Sequence, residues 1–199
     1  MNVGIVKLPF QGDTYCGDQC GYWLKGNKTI LCMVDGLGHG EYAEKAAKAA
    51  VNYVASHLFE SMEELFAGCN RAVRDTRGVA MGIAVIDQAA ETLTYAGVGN
   101  TRVMIVGNDW SAGIEKNIVR LVSSYGIVGA GYRRLSVETV EFRVGDLVIM
   151  FSDGVTELVD LSGYNKGLMA KPDELAARIV DDWGCETDDA AVLVFLNNS

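Results

Sequence analysis

The sequence predicts an α+β fold in which antiparallel sheets pack together and helices cover an outer face. Two observations carry this. Short strand-like runs dominate, and the helical segments do not alternate with them. Two consecutive helices stand between an early strand and a long meander, and another precedes the final strand. A parallel sheet requires a crossover, usually helical, between successive strands, so this order favours antiparallel layers.

Each element has a local reason. "TILCMVDG" (29–36) reads as a buried strand ending at Asp35. Residues 43–58 then place Ala43, Ala47, Ala50, Val51, Val54 and Leu58 at helical spacing. A second helix is expected over 61–76. Ser61 and Glu64 suit a capping box there, and Met62, Leu65, Phe66, Cys69 and Val73 line one face. Three strand-like runs follow at hairpin spacing, "VAMGIAVID" (79–87), "TLTYAGVG" (92–99) and "RVMIVG" (102–107). Two more, "SVETVEFRV" (136–144) and "DLVIMFSDG" (146–154), are joined by Gly145-Asp146, which suits a tight turn. A last helix is expected over 172–183, with Pro172 in its first turn and Leu175, Ile179 and Val180 on one face. "DDAAVLVFL" (188–196) closes the chain as an apolar strand. No linker, repeat or low-complexity tract interrupts it, so residues 1–199 are expected to form one domain.

Composition excludes several function classes. The chain has 199 residues, 49% of them hydrophobic, with 23 glycines, 2 prolines and a net charge of −9. A phosphate-backbone binder needs a basic patch, and no Lys/Arg cluster is present, so nucleic acid is not an expected partner. With no basic-plus-apolar leader and no apolar run near 18 residues, the expectation is a cytoplasmic protein without a membrane partner. The cysteines Cys16, Cys20, Cys32, Cys69 and Cys185 lack the paired spacing of a disulfide framework or zinc site and are read as reduced thiols. Trp23, Trp110 and Trp183 are read as packing residues. "GIVGAG" (126–131) has the wrong spacing for a dinucleotide loop and precedes a strand.

Asp18, Asp35, Asp153 and the Asp188-Asp189 pair all lie beside strand ends, three of these four sites next to glycine. A single Asp-Gly is usually a turn. Several carboxylates gathered at one end of a sheet would repel one another unless a cation sat between them, and hard cations take oxygen ligands. From spacing alone, a metal site and a set of ordinary turn residues stand about equal.

Five blocks bring in a resemblance. "CGD" (16–18), "VDGLGHG" (34–40), "GVGNTR" (97–102), "FSDGVTE" (151–157) and "TDDAAVLVF" (187–195) are similar, in order and spacing, to the metal-dependent protein serine/threonine phosphatases. This is the PPM family, and the likeness is to its short bacterial SpoIIE-type branch, over residues 16–195. The resemblance implies an αββα sandwich of two antiparallel sheets flanked by helices, with two divalent cations, Mn²⁺ or Mg²⁺, at one end. Carried over, Asp35 would bridge the ions and the Gly36 carbonyl would bind one of them. Asp153 and Asp188 would complete one shell, with Asp189 the alternative to Asp188, and Asp18 would serve the other ion. A hydroxide held between the ions would attack phosphorus in line, so no cysteine nucleophile is needed. The implied substrates are phosphoserine or phosphothreonine proteins, specifically phosphorylated STAS-domain components of the stressosome.

The chain also departs from the family pattern. Larger members often carry histidine directly after the Asp-Gly, where this chain has Leu37. His39 lies two residues on; it could donate a proton to the leaving group, but an exposed loop histidine is the plainer reading. The phosphate-gripping arginine of larger members has no clear counterpart, and Lys7 and Lys25 flank the first block without matching it. Asn100 stands where many relatives have aspartate and is read as a turn residue supporting the cleft. Residues 109–135 are too short and glycine-rich for a large flap, which implies an open site suited to a folded protein substrate. A catalytically silent module that binds a phosphoprotein is the alternative function. Such a module would be expected to have lost one of the acids, and all are present.

Overall fold

The computed structural model describes residues 2–58, 60–109 and 114–198. The chain starts with β1 (Val3–Leu8), β2 (Asp18–Lys25) and β3 (Lys28–Gly36), then α1 (Glu41–Ser56) and α2 (Met62–Ala72). β4 (Val79–Asp87), β5 (Thr92–Val98), β6 (Arg102–Val106) and β7 (Ile118–Leu121) follow, with a short hairpin of β8 (Gly126–Ile127) and β9 (Gly131–Tyr132). β10 (Val137–Glu141), β11 (Leu147–Phe151), α3 (Lys166–Met169), α4 (Pro172–Trp183) and β12 (Ala190–Leu196) complete it.

Two five-stranded antiparallel sheets result, ordered β1-β12-β11-β6-β7 and β10-β5-β4-β3-β2. Strand periodicity explains how they stack. In β3, Ile30, Cys32 and Val34 pack under α1 and α2, while Leu31 and Met33 face the other sheet. In β12, Val192 and Val194 pack under α4, while Leu193 and Phe195 meet Leu31 and Met33 between the sheets. Both faces of these strands are buried, which is why they read as continuous apolar runs rather than alternating ones. Burial of each large side chain contributes about 1.5–3 kcal/mol. The layers are helix, sheet, sheet, helix, as the resemblance implied.

The helices match their local signals closely. Ser61 Oγ accepts from Glu64 N at 3.3 Å and Glu64 Oε2 accepts from Ser61 N at 2.9 Å, a complete capping box. The helix it opens ends at Ala72, short of the expected 76, and α1 sits two residues earlier than expected. α4 spans the expected residues, with Pro172 in its first turn. Trp23 and Trp183 pack at the edges of the two helix-covered cores. Trp110 lies outside the described residues.

Strand pairing differs from the expected hairpins in two places. β5 and β6 are consecutive but belong to different sheets, and so do β10 and β11. The turn at Gly145-Asp146 exists, with Asp146 N donating to Arg143 O at 3.0 Å, but it carries the chain across the sandwich. Asp146 holds that crossing: its carboxylate accepts from Arg143 N at 2.7 Å and Asn108 N at 2.9 Å. β1, β2 and β7, which local patterning did not mark, occupy sheet edges. β1 and β2 each contain a glycine that weakens strand propensity but is needed in the fold. A Cβ on Gly4 would lie 2.2 Å from the Pro172 carbonyl oxygen, and one on Gly21 would lie 2.0 Å from the Trp23 ring. Part of 109–135, read from sequence as too short for a large flap, supplies β7 and the β8–β9 hairpin.

Candidate metal centre

Acidic side chains converge where the ends of the two sheets meet. Asp18 opens β2, Asp35 is next to last in β3, and the two are direct partners in the antiparallel ladder. Directly opposed residues share a face, and Asp35 continues the Leu31, Met33 series that faces the other sheet. From that sheet Asp153 follows β11 and Asp188 precedes β12, neighbouring strands with Phe151 paired to Val192. The sheets are tied here by Ser152, whose Oγ donates to Asp18 Oδ2 at 2.5 Å and accepts from Ala191 N at 2.9 Å.

The electrostatics are unfavourable for carboxylates alone. Burial pushes Asp18 up to about 8, aided by the charges of Asp189, Asp153 and Asp188 and opposed by the Ser152 hydrogen bond. Burial likewise raises Asp35 to about 9, with Asp18, Asp153 and Asp188 adding repulsion and a hydrogen bond to Asp153 favouring the protonated form. Burial also raises Asp188, with Asp153 and Asp189 contributing and His39 opposing. Carboxylates that need protons between them form an all-oxygen donor set whose repulsion a hard divalent cation relieves. The residues therefore fit such an ion chemically, although among the described residues no three His, Cys, Asp or Glu side chains stand ready to hold one without adjustment.

Asp188 and Asp189, inseparable in the sequence, have different surroundings. Asp189 is buried, and its two oxygens accept from Phe10 N at 2.8 Å and Gly17 N at 2.9 Å. It pins the segment before β2 onto the site. Asp188 is half-buried and accepts from Asp189 N at 2.8 Å. Two glycines are required by close approach. A Cβ at Gly36 would lie 2.2 Å from the Ala43 carbonyl oxygen in α1, and one at Gly154 would lie 2.0 Å from the Asp189 carbonyl oxygen.

The flanking residues are also positioned. Asn100, in the crossing from β5 to β6, donates from Nδ2 to Asp153 Oδ2 at 2.6 Å, a direct contact with an acid that exceeds the turn role read from sequence. Ser152 was not singled out from the sequence, although it adjoins Asp153 in "FSDG". His39 is exposed, its ring centroid 5.2 Å from that of Phe10. Leu37 N donates to Gly78 O at 3.1 Å. Lys7 Nζ donates to Gln19 Oε1 at 2.8 Å beside the first block, whereas Lys25 ends β2 far from Asp18. All five cysteines are free. Burial raises the Cys16 and Cys69 thiols to about 12 and pushes Cys20 and Cys32 up further, so these four are protonated and poor nucleophiles.

Residues 25–196 match the family model described as stage II sporulation protein E, SpoIIE. The chain belongs to the SpoIIE family. Its activity class is that of the PP2C-type protein serine/threonine phosphatases. A relative of this SpoIIE-family chain, the phosphoserine phosphatase RsbX of Bacillus subtilis (strain 168), is 27% identical over 153 residues, 76% of this chain and 73% of RsbX. A solved structure from work on the bacterial stressosome, a modular system adapted to control secondary messenger signalling, is 30% identical with a TM-score of 0.86, covering 97% of each chain. Two more distant structures share the fold. RsbX in complex with magnesium has a TM-score of 0.79 at 21% identity, over 96% of this chain and 92% of that one. The PP2C domain of Bacillus subtilis SpoIIE has a TM-score of 0.76 at 18% identity, over 99% of this chain and 61% of that one. Among the described residues of the SpoIIE-family chain, no helix is long and apolar enough to cross a membrane.

Proposed function

We propose that this SpoIIE-family phosphatase removes phosphate from phosphoserine or phosphothreonine in STAS-domain signalling proteins of the stressosome kind, and that residues 1–199 act as one domain. The proposed cofactors are two divalent cations, Mn²⁺ or Mg²⁺, held by Asp18, Asp35, the Gly36 carbonyl, Asp153 and Asp188. The observation that carries this reading is the Asp18–Asp35 ladder pair, with Asp153 and Asp188 at the neighbouring ends of β11 and β12 in the other sheet.

Bound cations supply a water of lowered pKa and neutralise the charge that develops on the phosphoryl oxygens. The chain's own residues set the geometry. Ser152 orients Asp18 through Oδ2, and Asn100 orients Asp153 through Oδ2. Asp35 interacts with Asp18, Asp153 and Asp188 alike, which supports a role for it toward both cations. Asp188 is favoured over Asp189, because both Asp189 oxygens are engaged by backbone N–H groups. No side chain is required as a covalent nucleophile, consistent with the protonated thiols. His39 is a bystander in this reading. The exposure of Asp153 and Asn100 suits a folded protein that presents its phosphoresidue from a surface loop.

RsbX, by name a phosphoserine phosphatase, and the 30%-identical structure from work on the stressosome support the substrate class. The RsbX complex with magnesium supports the cofactor, since its chain shares this fold. A panel of phosphorylated STAS proteins, incubated with the protein in Mn²⁺ or Mg²⁺ and in EDTA, tests the proposal. Phosphate release from at least one member, only with metal, is expected; release from none of them would overturn it.

A further inference from the structure

Next to the acids, the surface carries apolar and basic side chains that hydrolysis itself does not use. Tyr125 is 98% exposed and Val122 is 70% exposed. The segment between them is nevertheless held tightly. Ser124 N donates to Gly97 O at 2.7 Å and Gly99 N donates to Ser124 O at 2.9 Å. The Ser123 hydroxyl donates to Thr101 O at 2.9 Å and lies 2.8 Å from the Tyr95 hydroxyl. Tyr125 thus projects into water from an anchored backbone. Burial of an aromatic ring is strongly favourable, and aromatic anchors dominate contact energies at protein interfaces.

The ring stands between two hollows. On one side is a cleft of about 540 Å³ lined by Leu37, Ala80, Gly99, Ile127 and Ala130, with Asn100 at its rim. Asn100 is the residue that hydrogen-bonds Asp153, so it links this apolar cleft to the acidic site. On the other side Tyr125 shares a second hollow with Arg133 and Arg134. Both arginines are exposed, and neither forms an ion pair among the described residues. In a chain of net charge −9, adjacent arginines without carboxylate partners form a local site of opposite sign.

We infer that the Leu37–Ile127 cleft, Tyr125 and the Arg133–Arg134 pair form a docking track for the polypeptide flanking the phosphorylated residue. That polypeptide places an apolar side chain in the cleft and acidic side chains beyond it, on the arginines. The order follows from the placement: Asn100 links the cleft to Asp153, whereas the arginines share the hollow beyond Tyr125, where they offer unpaired positive charge to acidic side chains. The inference rests on the phosphatase reading above and specifies which phosphoproteins this site selects.

Two synthetic phosphoserine peptides test it, one flanked on both sides by leucine and then two aspartates, the other by glycine and then two lysines. With Mn²⁺ the wild-type protein should favour the first in kcat/KM by about tenfold or more. Tyr125→Ala should reduce that preference, and the double variant Arg133→Glu, Arg134→Glu should abolish or invert it. Both should keep wild-type turnover of p-nitrophenyl phosphate, which is too small to reach the track, and wild-type melting temperatures, since the substituted side chains are exposed. Equal cleavage of the two peptides by wild type, or an undiminished preference in both variants, would overturn the docking track while leaving the phosphatase intact. A wild-type protein inert toward p-nitrophenyl phosphate with either metal would instead remove the phosphatase reading, and this inference with it.

Discussion

Asp35 is a carboxylate that the fold holds against its own electrostatics: half-buried, opposite Asp18 in the ladder, and repelled by the charges of Asp18, Asp153 and Asp188. In the metal-free protein near neutral pH it is protonated, and an amide of the same shape replaces it at little cost to stability. Asp35→Asn should therefore leave the EDTA melting temperature equal to or above that of wild type. Its Mn²⁺-dependent phosphatase turnover should fall by more than about 100-fold, since even residues that only support metal ligands cost 10–100-fold. Steady-state kinetics alongside thermal melts check both halves, and wild-type turnover in the variant would remove Asp35 from the site. Asp189 shows how two adjacent identical residues acquire different duties. Its oxygens are taken by Phe10 N and Gly17 N, which makes it a fastener for the approach to β2.

Among the elements, the ends of β2, β3, β11 and β12 assemble the acids, and Ser152 connects the two sheets at that point. Its side chain is fully buried and bonds both Asp18 and Ala191 N. Ser152→Ala would leave a buried N–H without its partner and free Asp18 to turn, at a cost of about 1–3 kcal/mol. A lowered urea midpoint with an unchanged slope is the expected denaturation result. Mn²⁺ affinity from titration should weaken by about 10–100-fold, because Asp18 loses its orienting hydrogen bond. Unchanged affinity would mean that Asp18 is oriented by its strand alone. α1 is held to the same region by close approach, with Ala43 O packed where a Gly36 side chain would stand.

For the molecule as a whole, the acids make stability depend on pH and metal together. Asp18 and Asp35 are raised from 3.8 to about 8 and about 9. Between the unfolded and folded values the native state binds more protons than the unfolded chain, so stability falls as pH rises through that window. In EDTA the melting temperature should therefore decline from pH 5 to pH 9. In the proposed reading, divalent cations replace those protons and bind only the folded site. At 100 times the dissociation constant they add about 2.7 kcal/mol, a rise of about 5–10 °C for a chain of this size. Scanning calorimetry with and without Mn²⁺ should show the largest rise at the alkaline end. A melting temperature that ignores millimolar Mn²⁺ at every pH would mean the carboxylates are ordinary turn residues.

By itself the sequence determined the elements whose evidence is local. β3, β11 and β12 were legible because burial on both faces writes an unbroken apolar run, α2 because its capping box lies within four residues, and α4 because Pro172 marks its start. The acids and their order were legible too, and through them the family. Only the tertiary structure decided what depends on distant partners. β5 and β6, or β10 and β11, read as hairpins because their turns are short, but β10 pairs with β5 while β11 pairs with β6 and β12, and which strand lies alongside is not local information. β1 and β2 were faint because Gly4 and Gly21 weaken a strand pattern for the sake of Pro172 and Trp23, far along the chain in one case and two residues away in the other. Asp188 and Asp189 parted through Gly17, 172 residues from Asp189, and Ser152 gained its role from Asp18, 134 residues away. Periodicity reports whether a side chain is buried; which group it meets there is settled when the two sheets close.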